Sequence, residues 1–98
     1  MLILTRRRGE SIQIDRNILV TVTEVIGPDD ARLATVKVKR PGGEKTTVHP
    51  HMMEGEDLYI TPNVIIKVGR IVGNQARLAI QAPKHIQIWR TELLPVKA

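Results

Sequence analysis

The side chains best suited to chemistry in this sequence are arginines near its two ends. Arg6, Arg7 and Arg8 follow one another within the first ten residues, and Arg90 stands close to the other end. An arginine guanidinium presents a planar fork of donors that fits a phosphate or the O6 and N7 atoms of guanine. The chain holds 15 lysines and arginines against 10 acids, a net charge of +5. Such an excess favours an anionic partner, nucleic acid before membrane.

Residue sets that support catalysis or metal binding are poorly represented. His49 and His51 are two residues apart and would share one face of a strand, but no third ligand stands at a metal-site spacing from them. The sequence has no cysteine, no glycine-rich phosphate loop and no ordered Ser-His-Asp set. We therefore expect no enzyme activity, metal or cofactor. The lack of cysteine fits a reducing, cytoplasmic location, and the apolar run at residues 1–5 is too short for a signal peptide or membrane span.

The elements that must position these arginines are strands. Ile, Val and Thr favour extended chain, and Tyr59 and Trp89 are the sole aromatic residues. Alternating or continuous aliphatic runs predict strands at residues 12–14, 18–26, 36–38, 58–60, 64–72, 78–80 and 86–88. Trp89, opposite in phase to Ile88, is either a surface anchor or a packed side chain, and the pattern leaves both open. At most one helical turn fits at residues 91–94, so we predict an all-β fold with little or no C-terminal helix.

Part of the sequence is repeated. Residues 9–27 align with residues 55–73, where 6 of 19 positions are identical and every aliphatic position of the first copy meets an aliphatic in the second. Neither copy is long enough to bury its apolar face alone, so the two must pack on each other. We predict a pseudo-twofold β-sandwich or barrel, formed by residues 1–98 as one compact domain of two degenerate repeats, about 1–49 and 50–98.

Two blocks of sequence carry a family resemblance. MLILTRRRGE at residues 1–10 and GNQARLAIQAPKHIQIWRTEL at residues 73–93 closely resemble the carbon storage regulator family (CsrA/RsmA-like) of bacterial RNA-binding translational regulators. Residues 15–54 carry it only through the weaker internal copy. The resemblance implies an interwoven dimer of five-stranded chains that binds GGA-containing loops in messenger or small regulatory RNA. Repression there comes from covering the ribosome-binding site, and each RNA site joins the first strand of one subunit to the last strand of the other.

The resemblance also assigns RNA contact to particular residues of this chain. They match the first and last strands of the family, and are Leu4, Thr5, Arg6, Arg7, Ala82, Pro83, Ile86, Ile88 and Arg90. Arg6 and Arg7 point to opposite faces of a strand. We expect Arg6 to contact the bound loop and Leu4 to supply an apolar wall. Because two aromatics cannot form a stacking platform of the RRM kind, recognition should rest on main-chain groups and arginine.

The equivalent residues of the second pair of strands are altered. At an offset of 46 residues, the Arg6–Arg8 triplet falls on Met52, Met53 and Glu54, and Leu4 falls on Pro50, which cannot donate to a strand ladder. We predict a single-chain pseudo-dimer with one composite RNA site, monomeric in preference to homodimeric. The alternative is a protein-interaction module that has lost RNA binding and contacts a protein antagonist or flagellar partner through Met52, Met53 and nearby acids. A DNA-binding or ribosomal β-barrel is a weaker third reading.

Overall fold

The strands of this protein lie in two antiparallel sheets. The computed structural model describes residues 1–42 and 46–91. Within them the strands are β1 (Leu2–Arg7), β2 (Ser11–Ile14), β3 (Ile18–Ile26), β4 (Leu33–Lys39), β5 (Thr46–Met52), β6 (Asp57–Thr61), β7 (Val64–Val72), β8 (Gln75–Gln81) and β9 (Ile88–Arg90). The predicted strands at 18–26 and 64–72 have the expected bounds. No helix in the described part of the chain is long and apolar enough to cross a membrane.

The two halves of the chain are interwoven. One sheet, here called the β1 sheet, has the order β1-β8-β7-β6, and the other, the β9 sheet, has the order β5-β4-β3-β2-β9. The first strand therefore joins three strands of the second half, with Leu4 opposite Leu78. The last strand joins the first half, with Arg90 opposite Ile12. This exchange confirms the all-β, pseudo-twofold prediction in its sandwich form, since the described strands form two sheets and no closed barrel.

The core lies between the sheets and is aliphatic. Alternate side chains of nearly every strand point inward, as period-two patterning requires. Both sheets contribute to one cluster of buried residues, among them Ile12, Ile14, Val20, Val36 and Val38 from the β9 sheet and Leu58, Val64, Ile66, Leu78 and Ile80 from the β1 sheet. Burial of these side chains is the main stabilising contribution available to so small a chain.

The turns after β1 and β5 have the same geometry, which relates the two halves at atomic detail. Each turn has a glycine at positive φ, +91° at Gly9 and +95° at Gly55, a conformation that residues with a Cβ rarely adopt. The equivalent hydrogen bonds are Gly9 N–H to Val22 O (2.6 Å) and Gly55 N–H to Val68 O (2.7 Å), and Arg7 N–H to Glu10 Oε1 (2.8 Å) and Met53 N–H to Glu56 Oε1 (2.7 Å).

Strand β5 is the element that the sequence does not predict. It contains Pro50, but it is an edge strand, where a missing N–H is tolerated. The pairing with β4 is irregular around the proline, stepping from His49 opposite Val36 to Met52 opposite Ala34, and His51 has a φ of +55°. The boundary between repeats that the sequence places at residues 49 and 50 falls inside β5 and stays a prediction.

The last strand begins two residues later than predicted. Ile86 lies before β9, in a turn where its N–H donates to the Pro83 carbonyl at 3.0 Å. The strand begins at Ile88 because the segment from Pro83 must first turn from the β1 sheet to the edge of the β9 sheet. The predicted absence of a C-terminal helix concerns residues 91–98, of which 92–98 lie outside the described residues.

Candidate functional site

The outer strands of the two sheets, β1 and β9, lie side by side. At the start of β1 a groove of about 300 Å³ is lined by Met1 and Leu2 on one side and by the segment from Ala82 to Ile88 on the other. At the far end the Ser11 carbonyl accepts hydrogen bonds from Arg6 Nη1 and from Thr91 Oγ1, each at 3.1 Å. Both ends are thus close together, and the two strands run in the same direction. We call the space between them the β1/β9 slot.

Main-chain groups of β1 face this slot. The N–H of Arg7 donates to Glu10 Oε1 at 2.8 Å, and its carbonyl accepts from Glu10 N–H at 2.9 Å. Arg8 N–H points the other way, to the Asn74 carbonyl beside β8. Since main-chain groups alternate between the two edges of a strand, those of Ile3 and Thr5 share the edge of Arg7 and face away from β8.

Main-chain groups of β9 face the slot from the opposite side. The Gln87 carbonyl accepts a hydrogen bond from the Asp15 N–H at 2.6 Å, so the main-chain groups of Gln87 point toward β2. Trp89, opposite Gln13, repeats this orientation two residues later. By the same alternation, the N–H and C=O groups of Ile88 and Arg90 point away from β2. The slot therefore has hydrogen-bonding main chain on both walls.

The structure places Arg6 and Arg7 on opposite faces of β1, as strand alternation predicts. Arg6 is only 4% exposed, and its guanidinium donates to the carbonyls of Thr5 (Nε, 2.8 Å) and Ser11 (Nη1, 3.1 Å), with the Glu10 carboxylate at 3.9 Å. Its side chain shares the inward phase of Leu4, which is also buried and belongs to the core. An arginine fits this interior position because those oxygens meet it between the sheets. Arg7 is the exposed arginine of the pair.

The remaining predicted residues fall into two groups. Ala82, Pro83, Ile86 and Ile88 line the groove at the start of the slot. Arg90 is exposed at the other end, on the inward phase of β9 opposite Ile12.

Thr5 is exposed with its side chain on the outer face of the β1 sheet, beside Arg77. The sequence prediction omits Leu2, Ser11 and Thr91. Alternation with Leu4 could have indicated Leu2, whereas the roles of Ser11 and Thr91 follow from tertiary contacts alone.

The opposite edge of the fold is built differently. β6 is the counterpart of β2, but in the described part of the chain no strand pairs with its outer edge. The Arg40 guanidinium instead donates to the Ile60 carbonyl (Nε, 3.3 Å; Nη2, 3.2 Å), to the Tyr59 carbonyl (Nη2, 3.4 Å) and to Thr47 Oγ1 (Nη1, 2.8 Å). Arg40, which follows β4 in the chain, therefore contacts β6. In the other half of the fold the equivalent strand, β2, pairs with β9 instead.

One of the two histidines of β5, His49, lies near this arginine. His49 Nε2 is 3.1 Å from Thr47 Oγ1, and partial burial, with a smaller contribution from the Arg40 charge, lowers the pKa of His49 below its usual 6.5. His51 is exposed. Among the described residues no group of three or more His, Cys, Asp or Glu side chains is placed to hold a metal ion.

Comparison with known families identifies most of the chain. The model of CsrA, described as a global regulator protein family, matches residues 1–38 and 53–97. The intervening residues 39–52 hold Arg40 and β5, the region in which the second edge departs from the first. The two matched segments fit a tandem arrangement of family sequence.

Individual relatives match over shorter segments. Translational regulator CsrA of Thermotoga maritima is 44% identical over 39 residues, 40% of this chain and 47% of that protein. The protein of the same name from Desulforamulus reducens is 44% identical over 41 residues, 42% of this chain and 51% of that protein. The one from Bacillus velezensis is 45% identical over 38 residues, 39% of this chain and 51% of that protein. The chain spans about half the length of these relatives, and no solved structure matches it. The resemblance at the two ends of the sequence is thereby confirmed, and the chain belongs to the CsrA family.

Proposed function

We propose that this protein is an RNA-binding translational regulator that takes a GGA-containing loop into the β1/β9 slot. The observation that carries the proposal is the pair of edge strands β1 and β9, in which alternation directs the main-chain groups of Ile3, Thr5, Ile88 and Arg90 toward the β1/β9 slot. Unpaired guanines offer hydrogen-bond donors and acceptors along their edges, and RNA loops present such bases to proteins. Two walls of backbone donors and acceptors are complementary to those edges.

Arginines at one end of the slot supply the charge. Arg90 is exposed there and presents a fork suited to a phosphate or a guanine edge, and Arg7 lies at the end of β1. Arg6 acts one step away from the RNA, because its bond to the Ser11 carbonyl holds β1 against β2 and so sets the width of the slot. At the other end Leu2, Pro83 and Ile88 offer an apolar floor for a base.

Regulation by such a site requires no turnover and no cofactor. A protein bound over a GGA in a ribosome-binding site excludes the ribosome by occupying the same nucleotides. A chain with one slot cannot bridge two sites of a single transcript, so repression would depend on the affinity of one contact. The RNA partners that we propose are messenger leaders and small regulatory RNAs that carry this motif.

The direct test uses a short hairpin with GGA in its loop and a matched hairpin with CCA. Binding is measured by fluorescence anisotropy at a stated ionic strength, because contacts to phosphate make the affinity depend on salt. We expect the GGA hairpin to bind tightly and the CCA hairpin at least tenfold more weakly. Equal binding of the two would contradict sequence-specific recognition.

A second candidate function is supported by a cavity on the altered side. It measures about 260 Å³ and is lined by Asp29, Arg32, Met53, Glu54 and Ile71, with neighbouring residues of the 29–33 loop. Met53 is exposed, as a residue that contacts a partner must be. Met52, which the sequence analysis also named for a partner contact, is buried in the core. A protein antagonist could bind here. Capture of a protein partner that Met53→Asp abolishes, by a chain that binds neither hairpin, would favour this reading.

A further inference from the structure

We propose that the outer face of the β9 sheet forms a second contact surface for the same RNA, reserved for unpaired nucleotides that flank the bound loop. In this arrangement Trp89 stacks on one base, and Lys37 and Lys39 contact the phosphates that follow. The inference rests on the proposed function, since the slot is what brings the RNA to this edge. It adds an aromatic contact to a site otherwise made of main chain and arginine.

Trp89 lies on the far side of the strand that forms the slot. Its neighbours Ile88 and Arg90 stand opposite the buried Ile14 and Ile12, so their side chains take the inward phase. Trp89 stands opposite Gln13 and takes the outward phase, with 38% of its surface exposed. β9 is the outermost strand of its sheet in the described part of the chain. An RNA strand that leaves the slot across this edge therefore meets the indole ring next.

Two lysines lie further along the same face. The register places Gln13 opposite Leu19 and Leu19 opposite Lys39, so these residues form one row with Trp89 across four strands. The adjacent row runs from Ser11 through Thr21 to Lys37. Both lysines are exposed. With strands about 4.8 Å apart, the row from Trp89 to Lys39 spans roughly 14 Å, a length that a few unpaired nucleotides can cover.

The composition of this face suits single-stranded RNA. A base stacks on any exposed aromatic ring with little sequence preference, and nearby positive side chains hold the backbone. The outer face of the β1 sheet offers an internal contrast. There Tyr59 is 64% exposed, but the neighbouring Asp57 lies on the same face and faces Lys67 at 3.8 Å. The acid opposes a phosphate at that position, which makes Tyr59 a matched control for Trp89.

The experiment compares the minimal GGA hairpin with the same hairpin carrying a short unpaired tail on its 5′ or 3′ side. We expect one of the tails to tighten binding by about tenfold, the effect of one stacked base. Trp89 is the single tryptophan of the chain, so its fluorescence should be quenched by the tailed RNA and much less by the minimal hairpin. Removing the base nearest the hairpin, to leave an abasic tail, should abolish both effects.

Substitutions separate this surface from the slot. Trp89→Leu should bind the minimal hairpin within twofold of wild type and lose the gain from the tail, while Trp89→Phe keeps most of it and Tyr59→Leu keeps all of it. Because leucine retains an apolar side chain in β9, loss of the fold is checked by the unchanged affinity for the minimal hairpin. Replacing Lys37 and Lys39 together by alanine should make tailed binding less dependent on salt, with a slope smaller by about 0.7 for each phosphate that is no longer neutralised.

The possible outcomes distinguish the two proposals. If neither tail strengthens binding, or if Trp89→Leu retains the gain, the outer-face surface is wrong and the slot is unaffected. If Trp89→Leu weakens the minimal and tailed hairpins equally, Trp89 belongs to the loop site and the separate surface is again wrong. If the minimal GGA hairpin binds no better than its CCA counterpart, the proposed function itself fails.

Discussion

The two edges of this sandwich start from the same plan and end with different contents. At one edge, β1 and β9 enclose a slot whose far end is closed by Arg6 and Thr91 on the Ser11 carbonyl. At the other edge, β5 occupies the place of a first strand, and the outer edge of β6 is contacted by Arg40. The turns that follow β1 and β5 nevertheless form equivalent hydrogen bonds.

The comparison shows which parts of the repeat serve the fold and which serve the slot. The glycine turn and the glutamate that binds the main chain three residues earlier are present in both halves, so they belong to the fold. The inward residue of the first strand is arginine at position 6 and methionine at position 52, and both are buried. The two residues differ in polarity, and the fold accommodates either a charged or an apolar side chain at this position.

The largest effect is expected from Met52→Ala. Met52 is 6% exposed within the core, and truncation of a buried methionine lowers the free energy of unfolding by about 2–5 kcal/mol. Urea denaturation measures the change. Affinity for the GGA hairpin should stay within twofold of wild type under folding conditions. A stable variant with impaired RNA binding would show that the altered edge also takes part in recognition.

Arg90→Ala should have the next largest effect, on binding alone. A forked pair of hydrogen bonds to a base or phosphate contributes about 1–3 kcal/mol of binding free energy, so its removal should weaken affinity roughly 5- to 150-fold. The exposed position of Arg90 predicts an unchanged free energy of unfolding. Lys67→Ala, which removes the same charge from the outer face of the β1 sheet, is the matched control and should alter affinity only slightly. Equal decreases in affinity for both variants would show that Arg90 contributes only its positive charge and makes no specific contact.

Arg6→Met transfers the residue of the second edge to the first. We expect the free energy of unfolding to change by less than about 1.5 kcal/mol, because an apolar residue of similar volume can replace a buried charged one. Affinity for the GGA hairpin should fall by about tenfold, or ~1.4 kcal/mol, because methionine cannot donate the hydrogen bond that Arg6 makes to the Ser11 carbonyl. Arg8→Met serves as a charge-matched control. Full retention of affinity would show that the slot does not depend on this link.

The smallest effect is a pH dependence at His49. Since burial and the Arg40 charge lower the pKa of His49 in the folded protein, the unfolded chain binds more protons below its own pKa of 6.5. The contribution to stability is complete above pH 6.5 and is lost as the pH falls toward the folded-state value. Denaturation at pH 7.5 and pH 5.5 should show a smaller decrease in His49→Gln than in wild type. RNA binding at pH 7.5 should be the same in both.

Much of the fold is predictable because aliphatic alternation is nearly uninterrupted. The long strands at 18–26 and 64–72 and the pairing of the two halves follow from the repeat. Strand β5 is missed because Pro50 and two histidines interrupt its pattern, and only its edge position makes the proline acceptable. Ile86 looks like a strand residue, but the connection after Pro83 needs it in a turn.

For the candidate site, the sequence indicates which strands would form it but not which of their side chains face inward. Family resemblance indicates the first and last strands, and alternation correctly separates the faces of Arg6 and Arg7. Neither signal says which of the two faces inward, since a charged residue is expected outside. The answer depends on Ser11, whose carbonyl becomes available to Arg6 only when β1 and β2 meet across the sandwich. The outward phase of Trp89 is likewise settled by its register with Gln13.

The central claim is that this chain holds one RNA slot, at the β1/β9 edge. Native mass spectrometry of the protein titrated with the minimal GGA hairpin, at protein concentrations well above the dissociation constant, measures the stoichiometry directly. We predict that each chain binds one hairpin and that Arg90→Ala raises the hairpin concentration needed to form that single complex. Two equivalent hairpins on each chain would contradict it, because the β6 edge would then be a working site as well.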